Sequence, residues 1–150
     1  MTDARSYPSR PFLAVSAAII RDGKFLVVRR ARPPASGLYS LPGGVVELGE
    51  KLTEAVIREV AEETKMSIEP VALAGFRETV ARDGNDRVER HFVILCFAAR
   101  WRAGEPDLNE ELSEARWIQP SELSNLPTTP GLVEIVAAAF EQINAAGGKA

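Results

Sequence analysis

Leu52, Ala55, Val56 and Val60 recur at the spacings that only an α-helix places on one face. They follow closely on Pro42-Gly43-Gly44, where the chain can turn sharply and bring its backbone against other groups. This pairing of a glycine turn with a one-sided helix constrains the chain more than any other stretch. The helix, predicted from about Lys51 to Thr64, has a single apolar stripe and must bury it against another layer. The turn fixes where the helix enters.

The flanking sequence supplies that layer. Phe12–Ile20 is an apolar, strand-forming run, Asp22-Gly23 is a hairpin signal, and Phe25–Arg29 reads as the return strand. Ala31–Gly44, rich in Pro, Gly and Ser, reads as a loop, and Pro70 is expected to end the turn after the helix. Val71–Val80 and Glu89–Arg100 read as strands joined by a turn over Arg82–Asp86, and Ala115–Ile118 as a short strand after an acidic loop, Gly104–Glu114. Thr129-Pro130 has the form of an N-cap and first helical position. The helix that follows would carry Leu132, Ile135, Val136, Ala139 and Phe140 on one face and run to about Asn144. Strands, helix, strands, helix is the order of an α/β or α+β layered domain. We expect a single domain over 11–145, with residues 1–10 a flexible tail and 146–150, including Gly147-Gly148, a frayed end.

A chain of 150 residues suits one domain with one core. Its net charge of -3 gives no bulk attraction to nucleic acid or anionic membranes, so any phosphate must be handled locally. Neither a signal peptide nor a membrane-spanning run is expected, which makes a cytoplasmic protein the default. The lone cysteine, Cys96, lies in an apolar run and reads as a buried structural thiol. The lone histidine, His91, reads as structural or exposed. Dimerisation is compatible with the sequence and not demanded by it.

The chemistry is concentrated in one helix. Glu59, Glu62 and Glu63 are spaced i, i+3, i+4, so three like charges share one face in the last turns, where the helix dipole disfavours anions. An acidic helix face is usually just a solvated surface. Here the preceding glycine turn and Glu50 at the loop-to-helix junction add further oxygen donors, and a bound divalent cation would remove the repulsion.

These residues stand in a pattern that resembles the Nudix signature, G-x5-E-x7-R-E-U-x-E-E-x-G-U with U a bulky aliphatic. The chain supplies Gly44, Glu50, Arg58-Glu59-Val60, Glu62-Glu63 and Met66, matching eight of the nine defined positions. Chance would give the six fixed identities on the order of once in 10⁵ chains of this length. The lead-in Gly37–Gly44 is also similar to the family's approach to this box. There are two departures. Lys65 stands where the family has glycine, and Tyr39 where many relatives carry tryptophan. The lysine would either take a left-handed cap at about 1 kcal/mol or end the helix differently.

The resemblance implies an α/β/α sandwich on a mixed sheet and a Mg2+-dependent hydrolase, with Mn2+ as a substitute, that cuts a phosphoanhydride in a small nucleotide. It implies that Glu59 and Glu63 bind the metal with the Gly44 carbonyl, that Glu62 contributes directly or through water, and that Glu50 supports the site. Arg58 would orient a glutamate. The general base varies in this family, so Glu62 and the acidic loop both stand as candidates, with Glu111 favoured there over Glu110. Arg29, Arg30 and Arg32 are candidates for phosphate, and Tyr39 for packing or base stacking. ADP-ribose or a related sugar nucleotide is preferred, with a MutT-like nucleoside triphosphate pyrophosphohydrolase as the alternative and a non-catalytic nucleotide sensor as the third reading. At least one box glutamate should have a raised pKa through like-charge repulsion.

Overall fold

The computed structural model describes residues 5–33 and 35–147. Its centre is β1 (Phe12–Arg21). A tight turn with Asp22 at φ 51° and Gly23 at φ 77° folds it back onto β2 (Lys24–Arg30), as the Asp-Gly pair required. On its other side β1 runs parallel to β6 (Val88–Ala103), from Phe12 opposite Phe92 to Ile20 opposite Arg100. β6 pairs antiparallel with β5 (Ser67–Arg82), which forms the sheet edge. β3 (Tyr39–Ser40) and β7 (Leu112–Ile118) both pair with β2, and β4 (Gly43–Val45) pairs with β1.

Strand alternation divides the core between the two faces of this mixed sheet. Val15, Ala17, Ile19, Leu26 and Val28 meet helix α1 (Leu52–Thr64) through Ala55, Val56 and Val60. Ala18, Ile20, Phe25 and Val27 meet helix α2 (Leu132–Ala145) through Val136, Ala139 and Ile143. Val56 and Val60 are fully buried, each contributing about 1.5–3 kcal/mol by leaving water. Phe140 packs edge-on against Phe25 at 6.2 Å between centroids. The layers are therefore helix, sheet, helix, as the resemblance implied. No helix among the described residues is long and apolar enough to cross a membrane.

Several boundaries differ from expectation. The segment read as a loop, 31–44, contains β3 and the start of β4. At Gly43 the chain passes so close to β1 that a Cβ would strike the Val15 carbonyl, so a glycine serves here as a strand residue. Pro70 does not end a turn. It sits inside β5 at a register shift between Pro70 and Ala72, where an edge strand tolerates a missing donor. β7 begins at Leu112, inside the expected acidic loop, and a 3-10 turn at Pro120–Asn125 was not foreseen. α2 is capped by Gly131 at φ 86°, not by Thr129, whose N–H instead donates to the Tyr39 carbonyl.

Of the expected N-terminal tail, residues 1–4 lie outside the described residues, but residues 5–10 are docked on the sheet. The Tyr7 N–H donates to the Glu89 carbonyl at 2.7 Å, and its hydroxyl donates to Asp83 at 2.9 Å. The expected frayed end lies outside the described residues from Gly148 onward.

Candidate active site

The C-terminus of α1 builds the site. Lys65 takes the left-handed cap itself, at φ 63° and ψ 14°, and its N–H donates to the Ala61 carbonyl at 3.0 Å. The carbonyls left open at this helix end accept from the next loop. Asp107 N–H donates to Thr64 O at 2.9 Å, and Asn109 N–H donates to Glu63 O at 3.1 Å. Asn109 in turn accepts from the Glu111 N–H at 3.0 Å, and the Glu111 carbonyl accepts from Ala31 N–H at 2.9 Å. The helix end thus brings Glu111 into the same cleft as the box glutamates.

Arg58 ties the carboxylates together. Its Nε and Nη2 donate to the two oxygens of Glu50 at 2.6 and 2.9 Å. Nη1 donates to Glu59 at 2.8 Å and to Glu62 at 3.2 Å, and Nη2 also reaches the Val45 carbonyl at 3.1 Å. This fork holds Glu50 well below the usual carboxylate range, at about 2. Both Glu50 oxygens are used in this way and Glu50 does not line the cleft, so its place is behind Arg58 and not among the ligands.

Glu63 is the opposite case. Only 6% of it is exposed, and its carboxylate accepts from the Gly43 N–H at 3.1 Å. Burial first, then the charges of Glu59 and Glu111, push its carboxyl up to about 8. Glu59 is also raised, chiefly by burial and against the pull of Arg58. The raised pKa expected from like charges is present, but desolvation is its larger cause. A side chain at Gly44 would fall on the Glu59 carboxylate, so only glycine leaves room at this point.

No three acidic, histidine or cysteine side chains among the described residues converge closely enough to hold one ion as they stand. Glu59 and Glu62 are both turned onto Arg58. The donor set nonetheless fits a hard divalent cation. Glu63 is a buried carboxyl that accepts from the Gly43 N–H, Glu59 is near enough to act on it electrostatically, and the Gly44 position is kept clear.

The cleft has a volume of about 720 Å³. Glu59, Glu62, Glu63 and Glu111 line one pole, with Arg30 and Arg32 nearby. The far wall is made by alternate residues of two paired strands, with Arg77, Thr79 and Ala81 of β5 opposite Ile94, Phe92 and Arg90 of β6. This wall was missed in the sequence, although period-two spacing along each strand carries it. Arg77 has no acidic partner within salt-bridge distance among the described residues. It donates to the Pro130 carbonyl, and burial lowers its pKa.

Besides Glu50, three candidates do not line the cleft: Arg29, Tyr39 and Glu110. Arg29 donates back to the Gly37 carbonyl at 3.2 Å. Tyr39 is 4% exposed, and its hydroxyl donates to Glu114 at 2.6 Å, so it anchors β3 and offers no face for a base to stack on. Cys96 is buried with its thiol pKa raised by desolvation, and His91 borders a separate shallow depression.

The model of the NUDIX domain matches residues 10–139. An ADP-ribose pyrophosphatase from Methanocaldococcus jannaschii is 34% identical over 117 residues, which is 78% of this chain and 65% of that protein. The chain thus spans just under two thirds of that relative's length. A MutT-like protein from Streptomyces ambofaciens is 33% identical over 127 residues, covering 83% of this chain and 75% of its own. The crystal structure of a MutT NUDIX hydrolase from Burkholderia pseudomallei aligns with a TM-score of 0.71 at 29% identity, over 90% of this chain and 99% of that one. With eight of nine box positions in place, Arg58, Glu59, Glu62 and Glu63 carried by α1 into one cleft, and a domain match over most of its length, the chain belongs to the Nudix family.

Proposed function

We propose that this protein is a magnesium-dependent hydrolase that cleaves the phosphoanhydride of a nucleoside diphosphate joined to a second moiety, with ADP-ribose or a related sugar nucleotide as substrate. The observation that carries the reading is the cleft's polarity: a pole of carboxylates headed by the buried Glu63, facing a wall that includes Arg77, Arg90 and Phe92. The relative named as an ADP-ribose pyrophosphatase supports the choice of substrate. A small nucleotide as partner and a cytoplasmic location belong to the same reading.

Glu59, Glu63 and the Gly44 carbonyl would hold the metal, with Glu62 contributing directly or through water. Magnesium, or manganese in its place, supplies charge neutralisation of the diphosphate and acidifies a bound water. Glu111, held by Asn109 and Ala31, takes the proton as the water oxygen forms its bond to phosphorus. The anhydride P–O bond breaks, and the leaving phosphate carries away the electron pair. Arg58 keeps Glu59 and Glu62 aligned, and Glu50 keeps Arg58 in place. Arg30 and Arg32, which line the same cleft, would contact the phosphates.

The MutT-like relative and the MutT neighbour favour a second reading, pyrophosphohydrolysis of a nucleoside triphosphate. Incubation with magnesium and a panel of ADP-ribose, sugar nucleotides, dinucleotides, and normal and oxidised triphosphates separates the two. AMP and ribose phosphate from ADP-ribose support the first, whereas cleavage of a triphosphate alone replaces it with the second. Binding without turnover of any compound points to a sensor. Magnesium is also expected to raise the melting temperature of the wild type and not of a Glu59→Gln, Glu63→Gln double variant. Equal shifts in both would overturn the metal assignment.

A further inference from the structure

The segment before β1 is fastened to the molecule at a point that puts an arginine in the cleft. Tyr7 is its anchor. Besides its two hydrogen bonds to Glu89 and Asp83, its ring lies 4.3 Å from the Arg87 guanidinium carbon. Asp83 is itself fixed, since its other oxygen accepts from Asn85 and Arg87 N–H groups at 2.9 and 3.0 Å. Tyr7 also holds φ 53°, a conformation that a bulky residue keeps only where surrounding contacts over-determine it. Pro8 and Pro11 restrict the path between this anchor and β1. Two residues before the anchor, Arg5 lines the active-site cleft together with Arg90 and Ala81, and its positive charge is near enough to act on Glu59.

We infer that residues 5–10 form a strap whose function is to place Arg5 over the carboxylate pole as a ligand for substrate phosphate oxygens, with Tyr7 as its positioning residue. This rests on the nucleotide reading above and extends it to a part of the chain that lies before the family match, which begins at residue 10. Arginine suits the task because its planar fork can bridge two phosphate oxygens. The anchor on Asp83 and Glu89 holds the segment that carries Arg5 into the cleft that Arg30 and Arg32 also line.

The test is calorimetric binding of ADP, with adenosine as the phosphate-free control, to the full-length protein in magnesium buffer. The proteins are the wild type, Arg5→Ala, Arg5→Lys and Tyr7→Phe. Arg5→Ala should weaken ADP about tenfold and leave adenosine and the melting temperature unchanged. Arg5→Lys should recover much of the loss. Tyr7→Phe, which keeps the backbone bond to Glu89, should weaken ADP by about threefold. With a cleavable substrate the same loss should appear in KM and not in kcat. ADP bound equally by Arg5→Ala and wild type overturns the inference and leaves the nucleotide reading intact. Tighter binding by Arg5→Ala overturns it too, because the strap would then be a cover. A wild type that binds neither compound overturns the nucleotide reading itself, and the inference with it.

Discussion

The two sides of the cleft are built in different ways. The carboxylate pole, apart from Glu111, comes from one stretch, Gly44 to Glu63, with Arg58 hydrogen-bonded to Glu50, Glu59 and Glu62. The facing wall comes from two strands, joined in register so that Arg77 lies opposite Ile94, Thr79 opposite Phe92 and Ala81 opposite Arg90. The pole holds a buried carboxyl raised to about 8, by desolvation first and by the charges of Glu59 and Glu111 after it. The wall combines Arg77 and Arg90 with Phe92, Ile94, Thr79 and Ala81, and its Arg77 is partly desolvated. The repulsion at the pole is relieved by a cation. A partly desolvated arginine beside an aromatic ring suits an anion with a flat apolar part. Under the proposed function, the difference assigns chemistry to one side and the choice of what enters to the other.

The largest expected effect is on the pole. Glu63→Gln keeps the shape and removes a carboxylate that would ligate the metal, so hydrolysis should fall by at least about 10²-fold. Stability without metal should hold or rise, because a buried ionisable group is replaced by a neutral one. Turnover and thermal unfolding together check this. Activity within a few-fold of wild type would remove Glu63 from the metal site.

On the wall, Arg77→Ala should act on affinity. A charge-assisted contact is worth about 1.5–3 kcal/mol, so KM should rise at least tenfold with kcat changed little. Steady-state kinetics decides it. A loss confined to kcat would break the division of labour between the two sides.

The same contrast explains what could be read in the sequence. The pole was legible because its residues are near neighbours at helical spacing, and the helix apolar stripe confirmed the periodicity. Arg77 and Arg90 were not, since a strand pairing across a turn brings together residues that carry no local mark of their partnership. Tyr39 and Arg29 misled for a related reason. Tyr39 stands just before the glycine turn and Arg29 at the end of the second strand, which suggests a place near the site, but the β2–β3 register sends Tyr39 inward to Glu114 and Arg29 back onto Gly37. Gly43 and Gly44 form a strand that propensity argues against, because close approach to β1 and to Glu59 leaves no space for a side chain. Arg5 was hidden within a polar stretch whose anchoring depends on an aspartate 76 residues away from Tyr7.

A smaller effect concerns pH in the absence of metal. Glu63 in the folded protein titrates near 8, whereas its ordinary value is 4.5. The folded state therefore holds a proton that the unfolded state releases. Stability from this group is fully present below about 4.5 and is lost as pH rises towards 8. Melting temperature in a chelating buffer should accordingly decline from this source across that window, and the slope should flatten in Glu63→Gln. Arg77→Ala should leave the slope alone. An identical pH profile in Glu63→Gln and wild type would mean that the charge conflict is not located at Glu63.

The smallest effect is at the helix end that carries the pole. Lys65 sits at φ 63°, where glycine is favoured and where a lysine costs about 1 kcal/mol. Its side chain is exposed, and its cap uses only its backbone N–H, donated to Ala61. Lys65→Gly should therefore keep the cap and relieve the strain. Part of that gain is offset, because glycine makes the unfolded chain more flexible and because a cation is removed from the negative end of the helix dipole. The net gain should stay below about 1 kcal/mol, a rise in melting temperature of roughly 2–4 °C at most. Activity should not change, since the bonds from Asp107 and Asn109 to the Thr64 and Glu63 carbonyls, which place Glu111, do not involve the lysine side chain. If turnover dropped while stability rose, the lysine charge would have to be acting on the carboxylate pole, and the pole would extend beyond the residues that line the cleft.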